Sequence, residues 1–246
     1  MRTMIRPGVA IFRNILRRLM QRRVALFLVF ATAAHALLML TFDLTDRNFG
    51  EVTIGLFLAV ALPVATLITA GAALGDERAE NTMPFLLVKP LPRWVVAVSS
   101  LLASVATVLA VSMIGVLLAW LLGARATGDN MIGWPAFVAM VIVAIAYSAV
   151  FVPIGLLARR STLIGLAYIL IWEGIITSVV DGAAASSIWR IGLTAYADLN
   201  DGLPRGVDDL LANLEPGAGG ALAKAFVLAA VSIGLTTWLL RKRDMA

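Results

Sequence analysis

Apolar residues gather into six long stretches along this chain: Val24–Phe42, Val52–Leu74, Val95–Leu122, Trp134–Leu157, Leu163–Val180 and Ala221–Leu240. Arginines or acidic turns bound each one. A bilayer core of about 30 Å needs about 20 helical residues to cross it, and several stretches have that length. Helices are the expected element, because an open strand leaves backbone groups unpaired in lipid. The pattern predicts an all-α integral membrane protein with six transmembrane helices, forming a single transmembrane domain over residues 1–246.

Ahead of the first stretch, residues 3–22 carry a different period. Ile5, Ile11, Phe12, Ile15, Leu16, Leu19 and Met20 share one helical face, and Arg6, Arg13, Arg17, Arg18 and Arg22 cover the rest. Thr3 is placed to cap this helix, with Pro7 in its first turn. An amphipathic helix of this kind is expected to lie in the headgroup layer. Arg13, Arg17, Arg18, Phe12 and Leu16 are its candidate interfacial anchors. The plainer alternative is a topology signal alone. Ala34-His35-Ala36 resembles a signal-peptidase site, but the basic region is too long and the apolar run continues to Phe42.

Charge orients the spans. Of the 20 Lys and Arg, fifteen fall on the side of the two termini and five on the other. The positive-inside rule therefore puts both termini in the cytoplasm, consistent with an even number of crossings. Charged residues make up only 14% of the chain and hydrophobic ones 61%, which excludes a disordered chain. The absence of cysteine excludes disulfides and thiolate metal sites. The net charge of +5 lies beside the spans, so it points to lipid and not to nucleic acid.

Between the second and third spans, residues 75–94 form a cytoplasmic segment. Asp76, Glu77, Arg78 and Glu80 suit a short helix start. Leu86 and Leu87 follow, and then Pro90 and Pro92 disfavour a continuous helix before Arg93. An apolar patch between charges needs either lipid or a partner to cover it. Residues 181–220 form a long external loop, and the spacing of Trp189, Leu193 and Tyr196 predicts a helix dipping into the outer interface.

Few residues inside the spans carry chemistry. Glu173 is the acid placed within one, and its cost there requires a protein partner or a water-filled path. Glu173, Trp172 and His35 are candidates for pathway lining or gating; a structural hydrogen bond between helices is the alternative for Glu173. Ala61, Ala65, Thr69 and Ala73 form a small-residue packing stripe, while Pro63 and Pro153 are expected to kink their helices. Val88, Ala223 and Arg241 precede the three lysines, so no phosphate-binding loop of the form GxxxxGK[ST] exists. With neither HExxH nor GxSxG present, the chain is not expected to be an enzyme by itself.

The segment Gly75-Asp76-Glu77-Arg78-Ala79-Glu80-Asn81-Thr82, then Leu86-Leu87, then Pro90-Leu91-Pro92-Arg93, resembles the acidic cytoplasmic helix, leucine pair and proline-arginine turn of type-2 ABC transporter permeases. Tyr168–Gly174 followed by Ser186–Leu199, and the tail Arg241-Lys242-Arg243-Asp244, are similar to the same family. The likeness runs along nearly the whole chain. It departs where Asn81-Thr82-Met83-Pro84 replaces the family's usual glycine.

The resemblance implies a bacterial inner-membrane exporter permease that pairs with a second permease copy or homologue. Two separate ATPase subunits would hold the ATP and Mg, and this chain would hold no cofactor. Asp76, Glu77, Arg78, Glu80, Leu86, Leu87, Pro90 and Arg93 would form the ATPase-coupling segment, and residues 181–220 could include re-entrant helices. The alternatives are an ion-coupled secondary transporter using Glu173, or a membrane assembly factor that moves nothing.

Overall fold

The computed structural model describes residues 2–21, 57–79, 92–127, 133–158, 160–199 and 217–243, and these are helical apart from short turns. The expected first span, Val24–Phe42, lies outside the described residues, as do His35, Glu80, Leu86, Leu87 and Pro90. Five helices among the described residues are long and apolar enough to cross a membrane: Phe57–Arg78, Arg93–Ile114, Trp134–Leu157, Ser161–Val179 and Gly217–Lys242. The chain is therefore read as membrane-embedded.

In chain order, α1 is Arg2–Gln21 and a π-helical turn, Phe57–Ala61, leads into α2, Leu62–Ala79. α3 is Arg93–Thr127 and α4 is Trp134–Leu157. α5 is Ser161–Val179, and its middle, Tyr168–Ile176, is π-helical. The short α6 is Asp181–Ala184, α7 is Ile188–Asp198 and α8 is Gly217–Arg243.

α4 is the hub, touching α2, α3, α5, α7 and α8. Its sequence is apolar on every face, as a helix surrounded by others must be. Tyr147, Phe151, Met140, Ile142 and Leu156 are fully buried within it. Pro153 lies inside α4, which stays helical through Leu157. Pro63 falls at the second residue of α2, directly after the π-helical turn, a place where the hydrogen-bond ladder already changes step.

Glycine sets the α2–α4 crossing. A side chain on Gly155 would run into the carbonyl oxygen of Gly71, and one on Gly75 would lie 3.3 Å from that of Gly155. Gly71 and Gly75 are four apart, the spacing that lets two helix backbones approach closely. The stripe expected to do this is on another side of α2: Ala65 packs with Val111 of α3. On α5, Gly165 makes room for the Leu67 side chain of α2.

Two local expectations change. α2 continues without a break through Asp76, Glu77 and Arg78 to Ala79, so no separate short helix starts at Asp76. Acidic residues are tolerated there because the last turn of α2 meets α1. α1 begins at Arg2, which places Thr3 inside the helix and Pro7 in its second turn.

If the Gly71–Gly155 contact holds α2 on α4, Gly155→Ala costs about 1–3 kcal/mol through overpacking. Gly234→Ala, where the added methyl meets open space, is neutral or mildly stabilising. Thermal unfolding of both variants in the same detergent checks this contrast.

Candidate functional site

Two polar constellations stand out. The first is built around Glu173, which sits in the π-helical part of α5 and is only 4% exposed. After α5 the chain passes through an extended residue, Val180, and the short α6. It then returns to the depth of Glu173 at Ser187 and rises again as α7. The segment between α5 and α7 therefore folds back on α5, a hairpin whose return is fixed at Glu173.

α7 thus begins deep in the bundle, where its first N–H groups have no water to bond. Glu173 supplies the acceptors. The Ser187 hydroxyl donates to Glu173 Oε2 at 2.7 Å and the Ile188 N–H donates to Oε1 at 3.0 Å. The Tyr168 hydroxyl, one turn back on α5, donates to Oε1 at 3.2 Å. Ser187 is the N-cap of α7, and its oxygen in turn faces the Arg190 N–H at 3.5 Å. A carboxyl group at a helix N-terminus also meets the positive end of the helix dipole. The Tyr147 hydroxyl of α4 interacts with the same carboxyl and is wholly buried, with no hydrogen bond of standard geometry. Tyr147 stacks on Phe151 with ring centroids 5.7 Å apart, and Phe151 meets Tyr168 edge-on at 6.0 Å.

The hairpin is packed as well as capped. Ile188, Ile191, Leu193, Ala195 and Tyr196 are buried against the rest of the bundle, and a side chain on Gly192 would collide with Val143. At its far end, the Asp198 carboxylate accepts a 2.8 Å hydrogen bond from the Ala218 N–H in the first turn of α8. Gly217, at a φ of 57°, makes the turn that brings Ala218 there. One acid therefore starts α7 and another starts α8.

The second constellation joins α1 to the end of α2. Arg18 forms an ion pair with Glu77, whose side chain is 5% exposed. Ile11, Ile15 and Leu19 are buried, and α1 packs mainly on α3. Ser99 donates to the Gly8 carbonyl at 3.2 Å. Three residues of the α1 stripe are therefore covered by protein, while Met20 at its end is exposed. Phe12 and Leu16 are half-buried on the core, while Arg13 and Arg17 are exposed.

The sequence-selected residues divide accordingly. Glu77 meets Arg18, a residue assigned a different role. Asp76, Arg78 and Arg93 are half-buried near it in sequence, and the Nη1 of Arg78 is buried without an acceptor. Trp172, next to Glu173, points outward at 37% exposure. Tyr147, Ser187 and Arg190 were not selected. Ser187 was findable as a serine just ahead of a helical pattern; Tyr147, 26 positions before Glu173, gave no such signal. Among the described residues, no group of His, Asp and Glu could hold a metal ion.

What this arrangement does chemically is hold a helix start in place. Glu173→Ala strands the Ile188 N–H and two hydroxyls, and it is expected to cost about 2 kcal/mol, within the range for buried donors left unsatisfied. Glu173→Gln keeps one carbonyl oxygen and costs about half as much. Hydrogen exchange should show faster exchange at Ile188–Ile191 and unchanged protection at 139–147; equal protection at Ile188 in all three proteins would remove the capping role. No family model matches this chain, and no curated protein matches it.

Proposed function

We propose that this chain is the membrane-spanning permease subunit of an ATP-driven exporter of the type-2 ABC class. In this reading it pairs with a second copy or a homologue in a bacterial inner membrane, both termini in the cytoplasm. Two separate ATPase subunits bind ATP and Mg. The six-span arrangement of that family, with the first span over Val24–Phe42, belongs to the same proposal.

One observation carries most of the weight beyond the sequence resemblance. α1 packs on the start of α3 and is ion-paired to the end of α2, so it braces both ends of the 80–91 connection. A connection braced in this way is a suitable handle for a partner that pushes on the bundle. The burial of Glu77 changes its part in the reading: it is a brace under the coupling surface, and Asp76 and Arg93 are better placed as contacts. Mechanistically, ATP would act only by favouring one of two arrangements of the spans.

An ion-coupled carrier would need Glu173 to exchange protons with both sides of the membrane. A carboxyl group that is 4% exposed and accepts three hydrogen bonds is better suited to hold α7.

Affinity capture of the chain in mild detergent is expected to bring down an ATPase bearing a phosphate loop. Arg18→Glu or Glu77→Arg alone should lower that capture and its ATP turnover several-fold, and the double swap should recover both. Full transport by the purified chain in nucleotide-free vesicles overturns the reading.

A further inference from the structure

Arg190 lies in the first turn of α7 and is 8% exposed, yet its Nε has no hydrogen-bond acceptor. Among the described residues the one ion pair is Arg18–Glu77, so no described carboxylate lies within salt-bridge distance of Arg190. The Glu173 and Asp198 carboxylates are engaged elsewhere. Glu173 binds Ser187, Ile188 and Tyr168, and Asp198 binds Ala218. A buried charge without a counter-charge is costly. The Trp189 ring lies 5.4 Å from the guanidinium carbon and offsets that cost only in part.

We propose that Arg190, with Trp189 beside it, is a binding subsite for an anionic phosphate or carboxylate group at the α7 end of the bundle. The planar fork of an arginine matches two oxygens of such a group, and a desolvated site strengthens each bond. The indole gives the bound group a flat apolar wall. Ile171, Trp172, Ile175 and Val179 of the adjoining α5 are exposed, so the anion can arrive as the headgroup of an amphiphile lying against that helix. A free anion reaching the same guanidinium uses the same chemistry. The subsite stands whether or not the chain transports anything.

The full chain in nanodiscs of phosphatidylcholine tests this. Brominated phosphatidylglycerol is compared with brominated phosphatidylcholine as a quencher, and the Trp189 signal is taken as wild type minus Trp189→Phe. The anionic lipid is expected to quench several-fold more strongly in wild type, with the difference lost in Arg190→Gln and largely kept in Arg190→Lys. A headgroup is the source if only the lipid acts. A free anion is the source if inorganic phosphate alone raises the unfolding midpoint of wild type and not of Arg190→Gln. Equal quenching by both lipids in wild type, together with no effect of phosphate, overturns the proposal. So does an anionic preference that survives in Arg190→Gln. Should Arg190→Gln not fold, the two wild-type comparisons decide alone.

Discussion

A helix that starts inside a bilayer has four N–H groups with neither a preceding turn nor water to accept them. The hairpin between α5 and α7 depends on how that problem is met. Here the acceptor is a carboxyl group on a different helix, Glu173, with Ser187 between them. The solution does two jobs with one residue. It satisfies the start of α7, and it gives an expensive intramembrane acid a set of donors. The nine-residue π-helical stretch of α5 surrounds it. Widening the helix there changes which residues face inward, and Tyr168 and Glu173 come to share the inner side.

Close packing supports that arrangement from the other side. In lipid there is little hydrophobic gain in bringing two helices together, so contact area and backbone approach matter more. Gly71, Gly75 and Gly155 let α2 and α4 touch almost backbone to backbone. Gly192 makes room on α7 for the Val143 side chain of α4. α4 is thereby fixed on two sides, which holds Tyr147 against the Glu173 cluster.

Much of the helical layout was legible because lipid imposes one simple rule on length and hydropathy. Trp134–Leu157 has the same limits by both readings, and the ends of the other four described spans differ by one to eight residues. The helix within residues 181–220 followed from the spacing of Trp189, Leu193 and Tyr196. Other features were harder to read. The stripe Ala61, Ala65, Thr69, Ala73 and the pair Gly71, Gly75 are both plausible close-packing motifs on one helix, and periodicity cannot say which neighbour each will face. The α1 stripe fits protein as well as it fits lipid, since both present an apolar surface. Arg18–Glu77 joins residues 59 positions apart, and nothing local announces such a pair. Glu173 was picked out by its cost, but its donors lie on its own helix and at the start of α7, 14 and 15 positions on.

α2 is the element through which the two polar ends can communicate. Its last turn carries Glu77 under α1, and the π-helical turn at its start touches α7. A rigid rod with a contact at each end transmits displacement; a soft one absorbs it. The glycine crossing on α4 makes α2 stiff laterally, leaving sliding or rotation about its own axis as the easier motions. Either motion would reach α7 through the contact it makes with that turn. The two constellations are thus joined by one continuous helical element, with Glu77 at one end and the α7 contact at the other.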